Sequence, residues 1–278
     1  MTEIINIIDE FDGFPSLSST VNKIIELFNK GNVDINILEK ALQKDPNLSL
    51  QVLRLANSPF FGISGEVKSI KDACMIMGLT NVFNLVTAAD VINSLNSSDL
   101  HLISSSGFWE HSIATGIATT IVLKSAGLED SNAFLVGLLH DIGKLALDSY
   151  KPKLYEKIII YQEKNECPFI NAEKEVANFT HADLGAAIAR RWNLSETLAD
   201  SILNHHDSHQ ITKNTTLSAL HVADFLIKGL DIGDLYNNAI CEFHSRSVKK
   251  LGIQMSDLAE LMVDIEKSVK GNSLLEFV

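Results

Sequence analysis

The sequence predicts an all-α fold of two packed helical lobes, and three observations carry the expectation. Apolar residues recur at helical spacing from near the N-terminus onward, and helix start and stop signals punctuate them. No convincing run of alternating strand residues interrupts the pattern. The stretch 94–107, SLNSSDLHLISSSG, changes character: it is rich in serine and ends on glycine, as a connection would be. It is short and partly apolar, so the lobes on either side should pack rather than swing freely. The expected division is an N-terminal lobe over 1–93, the connection 94–107, a second lobe over 108–230, and C-terminal helices over 231–278 that pack on the lobes.

The elements follow in order. Val21, Ile24, Ile25 and Phe28 make an i, i+3, i+4, i+7 stripe within 18–30, and Gly31 stops it. Asp34 precedes a shorter helix to Gln43. Asp45 and Pro46 supply an N-cap and a first-turn proline for a helix to Ala56. The run Asn57 to Gly62 breaks the pattern. Its Phe60-Phe61 pair is either a lid on the core or a sticky surface, and the core reading is preferred. Ser69 to Asp72 reads as a capping box before a helix ending at Gly78, and 79–94 is helical again. In the second lobe, Ala114, Ile117, Ala118, Ile121 and Val122 line one face, and His111 shares it. Residues 134–147, FLVGLLHDIGKLAL, read as one buried helix, because it is apolar all round. A helix over 155–163 and a loop near Cys167-Pro168 follow. Thr180 opens a capping box that puts His181 in a first turn, and Ser195 caps the next helix. Near the C-terminus, Ser256 should cap a helix striped by Leu258, Leu261, Met262, Ile265 and Val269 and ended by Gly271.

Composition bounds the function. The 278 residues carry a formal net charge of −12, which argues against a broad nucleic-acid or membrane-binding surface but leaves room for a local cationic pocket. Cys74, Cys167 and Cys241 lie far apart with no CxxC spacing, as expected of reduced thiols in a cytoplasmic protein. There is no basic N-terminal leader and no apolar run long enough to span a bilayer.

The chemistry gathers in polar residues placed on inward faces: His111, His140, Asp141, His181, His205, His206 and Asp224. A histidine or carboxylate in an apolar helix loses its water and needs a partner. No arginine stands nearby in sequence to supply one. Imidazole and carboxylate together form a donor set for Zn, Fe, Mn or Ni. Each residue also has a plain alternative. His181 could simply start a helix, and His206 could sit favourably at a helix C-terminus. Lys144 is either a phosphate-binding point charge one turn beyond His140 or a surface lysine at a helix end. His221 either orients a ligand or packs in the core. His101, His209 and His244 read as solvated.

The pattern His111…His140-Asp141…Asp224 resembles that of the HD superfamily of metal-dependent phosphohydrolases. With Lys144, His181, His205 and His206 it is similar to the two-metal arrangement of the HD-GYP branch. Segments of the first lobe, Phe14-Pro15-Ser16-Leu17, Lys44 to Leu48, Leu53 to Ser58 and Ile70 to Leu79, resemble HDOD proteins, the HD-related output domains of bacterial signalling, as do Phe108 to Ser112 and Gly185 to Leu194. The resemblance spans roughly residues 14 to 230. It implies an HD-like helical bundle for the second lobe and one or two divalent transition metals, Fe, Mn or Zn. His111, His140, Asp141 and Asp224 would hold one metal. Asp141 would bridge to a second, held by His181 and by His205 or His206. It implies a regulatory role toward a signalling protein or a small nucleotide ligand. The alternative is an active phosphohydrolase acting on a nucleotide or cyclic dinucleotide, with Asp141 and Lys144 catalytic. Many HDOD members lack the ligand set that this chain retains. The Gly-Tyr-Pro motif tied to cyclic di-GMP hydrolysis is absent after the double histidine, where Asp207-Ser208-His209-Gln210 stands instead.

Overall fold

In a computed structural model, residues 11, 13–63, 65–95, 99–233 and 243–270 are described, and among them the secondary structure is helical with no strand. The first lobe comprises α1 (Ser19–Asn29), α2 (Ile35–Leu42), α3 (Pro46–Ala56), α4 (Ile70–Met77) and α5 (Leu79–Leu95). Local chemistry sets their starts. The side chains of Ser18, Asp34, Asp45 and Ser69 each accept the backbone N–H three residues on, satisfying first-turn donors that no carbonyl can reach. Helix α5 is buried on almost every face, and α1, α3 and α4 pack around it.

The second lobe is built from α6 (Ser105–Ser125), α7 (Ala133–Leu139), α8 (Ile142–Tyr150), α9 (Pro152–Asn165), α10 (Phe169–Ala177), α11 (His181–Arg191), α12 (Glu196–Asn204), α13 (Ser208–Ile211) and α14 (Thr215–Gly229). Helix α6 runs through its middle, with α7 and α14 against it, while α11 bridges α8 and α12. Two further helices, α15 (Ser245–Leu251) and α16 (Leu258–Val269), lie against α14 and α6 respectively.

One hydrophobic core runs through both lobes. Polar stitches reinforce the seam. Asn84 donates to the Ser131 carbonyl at 2.7 Å, and Trp192 Nε1 donates to the Pro15 carbonyl at 3.0 Å. Phe60 and Phe61, both half-buried, turn toward Phe134 of α7, with ring centres 6.1 and 6.5 Å away, so this pair acts as a lid on the core. The fully buried Asp148 of α8 accepts the backbone N–H groups of His101, Leu102 and Ile103 at 2.9 to 3.1 Å, tying the connection between the lobes to the helix that follows His140-Asp141.

Three sequence expectations change. The stretch 134–147 is two helices, with His140 and Asp141 at the break. His140 turns its Nδ1–H back to the Gly137 carbonyl (2.7 Å), and the Lys144 N–H bonds the Asp141 carbonyl three residues back (2.8 Å). Local bonds thus replace two steps of the i→i−4 ladder and let both side chains point the same way. Helix α6 begins at Ser105, inside the expected connection, because Ser104 caps it through the Gly107 N–H. Ser256 does not cap α16. It lies in a 3₁₀ turn, Met255–Asp257, which forms because the Asp257 carboxylate accepts the Gln254 N–H, so that Asp257 takes the cap position. Gly271 and Cys241 fall outside the described residues, while Cys74 and Cys167 are free thiols.

Candidate metal centre

Two close helix crossings place the centre. At the first, α6 meets α7 glycine to glycine: a Cβ on Gly137 would stand 2.6 Å from the Gly116 Cα. This brings His111 of α6 beside His140, with ring centres 5.6 Å apart. At the second, α8 meets α11, where a Cβ on Gly143 would stand 2.0 Å from the His181 carbonyl oxygen. This sets His181 Nε2 3.2 Å from Asp141 Oδ1. The capping box foreseen at Thr180 and Asp183 is present and fixes the start of α11. His205 and His206, at the end of α12, complete that side, and Asp224 comes in from α14.

All seven expected residues converge. Their donor atoms form two clusters, one of Asp141, His181, His205 and His206, the other of His111, His140 and Asp224. In the first, His181 Nε2 lies 3.0 Å from His206 Nε2 and 3.3 Å from His205 Nε2. In the second, His111 Nε2 lies 3.2 Å and His140 Nε2 3.8 Å from Asp224 Oδ1. Asp141 spans the two: Oδ1 faces His181, and Oδ2 is 3.3 Å from His140 Nε2.

The tautomers follow from the partners. A carbonyl oxygen can only accept, so Nδ1 carries the hydrogen in His140, bonded to Gly137 O, and in His205, bonded to Ile202 O at 2.6 Å. His181 likewise donates Nδ1–H to Glu173 Oε2 at 2.7 Å. In the neutral rings each Nε2 is then a bare lone pair aimed into the centre. Donor–metal distances of about 2.0–2.2 Å place neighbouring donors roughly 3–3.5 Å apart; five of the donor pairs here lie at 3.0 to 3.3 Å, and His205–Asp141 and His140–Asp224 are wider at 3.7 and 3.8 Å. His140 Nε2 and Asp141 Oδ1 are buried and have no hydrogen-bond partner among the described residues, the condition expected of metal donors rather than of ordinary core polar groups. Residues and geometry therefore suit divalent metal ions.

The electrostatics agree. Burial pushes the His205 imidazole down to about 4 and lowers His206 and His111, keeping these rings neutral and able to coordinate. His181 is the exception: burial lowers it, but Glu173 outweighs that and the net shift is upward, toward a proton on the ring that a bound metal would displace. For Asp141 burial acts upward, yet His140 and Lys144 hold the carboxyl well below the usual range; Lys228 and His111 do the same for Asp224.

Lys144 is not a surface lysine. It is buried, with Nζ 2.7 Å from Asp141 Oδ2 and 5.5 Å from the centre of the Phe169 ring. His221 accepts the His244 backbone N–H through Nε2 at 2.9 Å, so that nitrogen is committed to the chain before α15. His244 is half-buried and stacks on His221 (4.9 Å), contrary to the solvated reading; its backbone N–H bond to His221 holds it there. His101 and His209 are exposed as expected. Three residues escaped the sequence reading: Glu173 behind His181; Lys228, whose Nζ is 2.6 Å from Asp224 Oδ2; and Lys174 in the wall of the neighbouring cavity. A signal for Glu173 existed, since Phe169, Ala172, Glu173 and Val176 follow i, i+3, i+4, i+7.

A cavity of about 200 Å³ opens onto the donors, and the described residues lining it run from His140 to His244, with none from the described first lobe. Lys144, Lys174 and Lys228 line it, a local reversal of the chain's acidic balance.

A profile of the HDOD domain matches residues 14–208. The chain belongs to the HDOD family. The fold is shared with solved structures of the family: an HDOD domain protein of unknown function from Geobacter sulfurreducens superposes with a TM-score of 0.74 at 21% identity, covering 96% of this chain and 97% of the other. A Shewanella amazonensis SB2B protein provisionally described as a phosphohydrolase gives 0.76 at 21% identity, covering 99% and 97%. An uncharacterised Treponema pallidum (strain Nichols) protein is 26% identical over 230 residues, 81% of this chain and 44% of that protein. The HDOD chain thus spans less than half the length of the curated relatives it matches. Among the described residues no helix is long and apolar enough to cross a membrane.

Proposed function

We propose that this HDOD protein is a bacterial, cytoplasmic signalling component whose second lobe binds two divalent transition-metal ions, Fe, Mn or Zn, and offers them to a phosphate-bearing small ligand such as a nucleotide. The observation that carries this reading is the apposition of His181 and His205. With both rings neutral, each commits its N–H at Nδ1 and two lone pairs face each other 3.3 Å apart. A shared cation relieves that repulsion, and Asp141 and His206 at 3.2 and 3.0 Å from His181 make a four-donor set suited to a metal.

Charge points to the ligand. Asp141, Asp224 and Glu173 place three negative charges in or beside the centre, and Lys144 and Lys228 two positive ones. Each divalent ion adds two more positive charges, so the doubly loaded centre is strongly cationic and draws an anion from solvent. A phosphate held there meets the lysines of the cavity. Ligand recognition of this kind, read out by a protein partner, is the role we assign.

A second reading, hydrolysis of a phosphoester, is favoured by the open cavity, which no described residue of the first lobe lines. The metals would supply a water of lowered pKa and polarise the phosphoryl oxygens. Asp141 would hold the two clusters in fixed relation, Lys144 would neutralise a phosphate oxygen, and Phe169, Ile170 and Leu220 would limit water around the ester. Metal analysis, then binding and turnover of mono-, di- and cyclic dinucleotides with added Mn or Fe, separates the readings. Binding without turnover supports the first; turnover lost in Asp141→Ala supports the second. Protein without metal, purified chelator-free under conditions that retain Fe(II), contradicts both.

A further inference from the structure

We infer that Glu173 is a positioning residue for the Asp141, His181, His205 and His206 half of the centre, and that through it this half can be emptied while the other stays loaded. The inference rests on the metal-binding reading above. Glu173 is fully buried on α10, and both its oxygens serve one residue: Oε1 accepts the His181 backbone N–H at 2.9 Å and Oε2 accepts His181 Nδ1–H at 2.7 Å. The backbone N–H belongs to the first residue of α11, a donor that no helical carbonyl can satisfy. The carboxylate therefore fixes the helix start and the ring together, leaving no rotation by which His181 Nε2 could turn from the cluster. A carboxylate behind a ligating histidine also raises the basicity of the donor nitrogen.

The other cluster is supported differently. His140 is fixed by the Gly137 carbonyl, and Asp224 by Lys228. Among the described residues, the hydrogen bonds and ion pair of Glu173 all go to His181. Removing the carboxylate thus acts on one half alone. Helix α10 also places Asn171 and Lys174 in the cavity wall, so the element that steadies His181 is one that a bound ligand would touch.

Glu173→Gln keeps the volume and removes the charge. Titration of the metal-free protein with Mn(II) or Zn(II), followed by calorimetry and metal analysis, should show two classes of site in the wild type. In the variant one class should weaken about 10- to 100-fold while the other keeps its affinity, so the retained metal falls from two per chain toward one. Near-unchanged melting of the metal-free variant would confirm an intact fold. Should Gln prevent folding, Glu173→Asp, which keeps the charge but shortens the reach, should weaken the same class by a smaller factor. Equal weakening of both classes, or of neither, overturns the inference. A wild type that binds no metal overturns the metal-binding reading itself.

Discussion

Adding one methyl group at Gly143 should empty half of the metal centre. An alanine Cβ there would lie 2.0 Å from the His181 carbonyl oxygen and 2.9 Å from the Gly185 backbone nitrogen. Both are backbone atoms, so neither can rotate away. Relief requires α8 and α11 to part by about 1 Å or more, given that overpacked cores yield by backbone shift. Asp141 immediately precedes α8 and His181 begins α11, so the 3.2 Å between their donor atoms opens by a similar amount. Overpacking of this kind costs about 1–3 kcal/mol, which for a chain of this size corresponds to roughly 2–12 °C in melting temperature. Calorimetric melting of the metal-free Gly143→Ala variant checks the first effect, and metal analysis of the loaded variant the second. Gly137→Ala, pressed against the Gly116 backbone at 2.6 Å, should spare that cluster and disturb the His111–His140 pair. A Gly143→Ala protein that melts as the wild type does and retains two metals would refute the argument that this glycine contact sets the geometry.

Three further outcomes are expected. The metal-free protein should lose stability as pH falls from about 6.5 toward 4: His205, lowered to about 4, stays neutral when folded but takes a proton when unfolded, a loss of about 3 kcal/mol from this group alone, measurable by urea titration at each pH. His111 and His206 shift in the same direction and add to it, whereas His181 shifts oppositely. Lys144→Met should leave metal content unchanged but weaken inorganic phosphate binding to the loaded protein by calorimetry; an unchanged affinity would return Lys144 to a purely structural role. Asp148→Ala should destabilise the chain by about 2–4 kcal/mol, because three N–H groups of residues 101–103 lose a buried charged acceptor, and hydrogen exchange should accelerate at those amides.

The sequence disclosed the centre more fully than its supports. Histidines and carboxylates on apolar faces are conspicuous, because burial without a partner is costly, and all seven such residues meet. What holds them apart or together was harder to see. Gly137 and Gly143 sit in an apolar run where a glycine looks like a mere weakness, and their role appears only when a second helix is placed against them. Lys228 resembles the solvated charge of an ordinary amphipathic helix, and only the fold shows that it faces Asp224; Glu173 shares a stripe with Phe169, Ala172 and Val176, but what it is sealed behind appears only in the fold. The break at His140-Asp141 was hidden for a related reason: uniform hydrophobicity signals burial but says nothing about where a buried helix ends. His244 was misread because stacking on His221, more than twenty residues earlier, leaves no local trace.

The central claim is that His111, His140, Asp141, His181, His205, His206 and Asp224 form one two-metal centre. Metal content of the protein, purified without chelator in the absence of oxygen and then titrated with Mn(II), tests it directly. Two ions per chain, falling to none or one in Asp141→Ala, is the expected result. A wild-type chain that stays folded and takes up no divalent metal would contradict it.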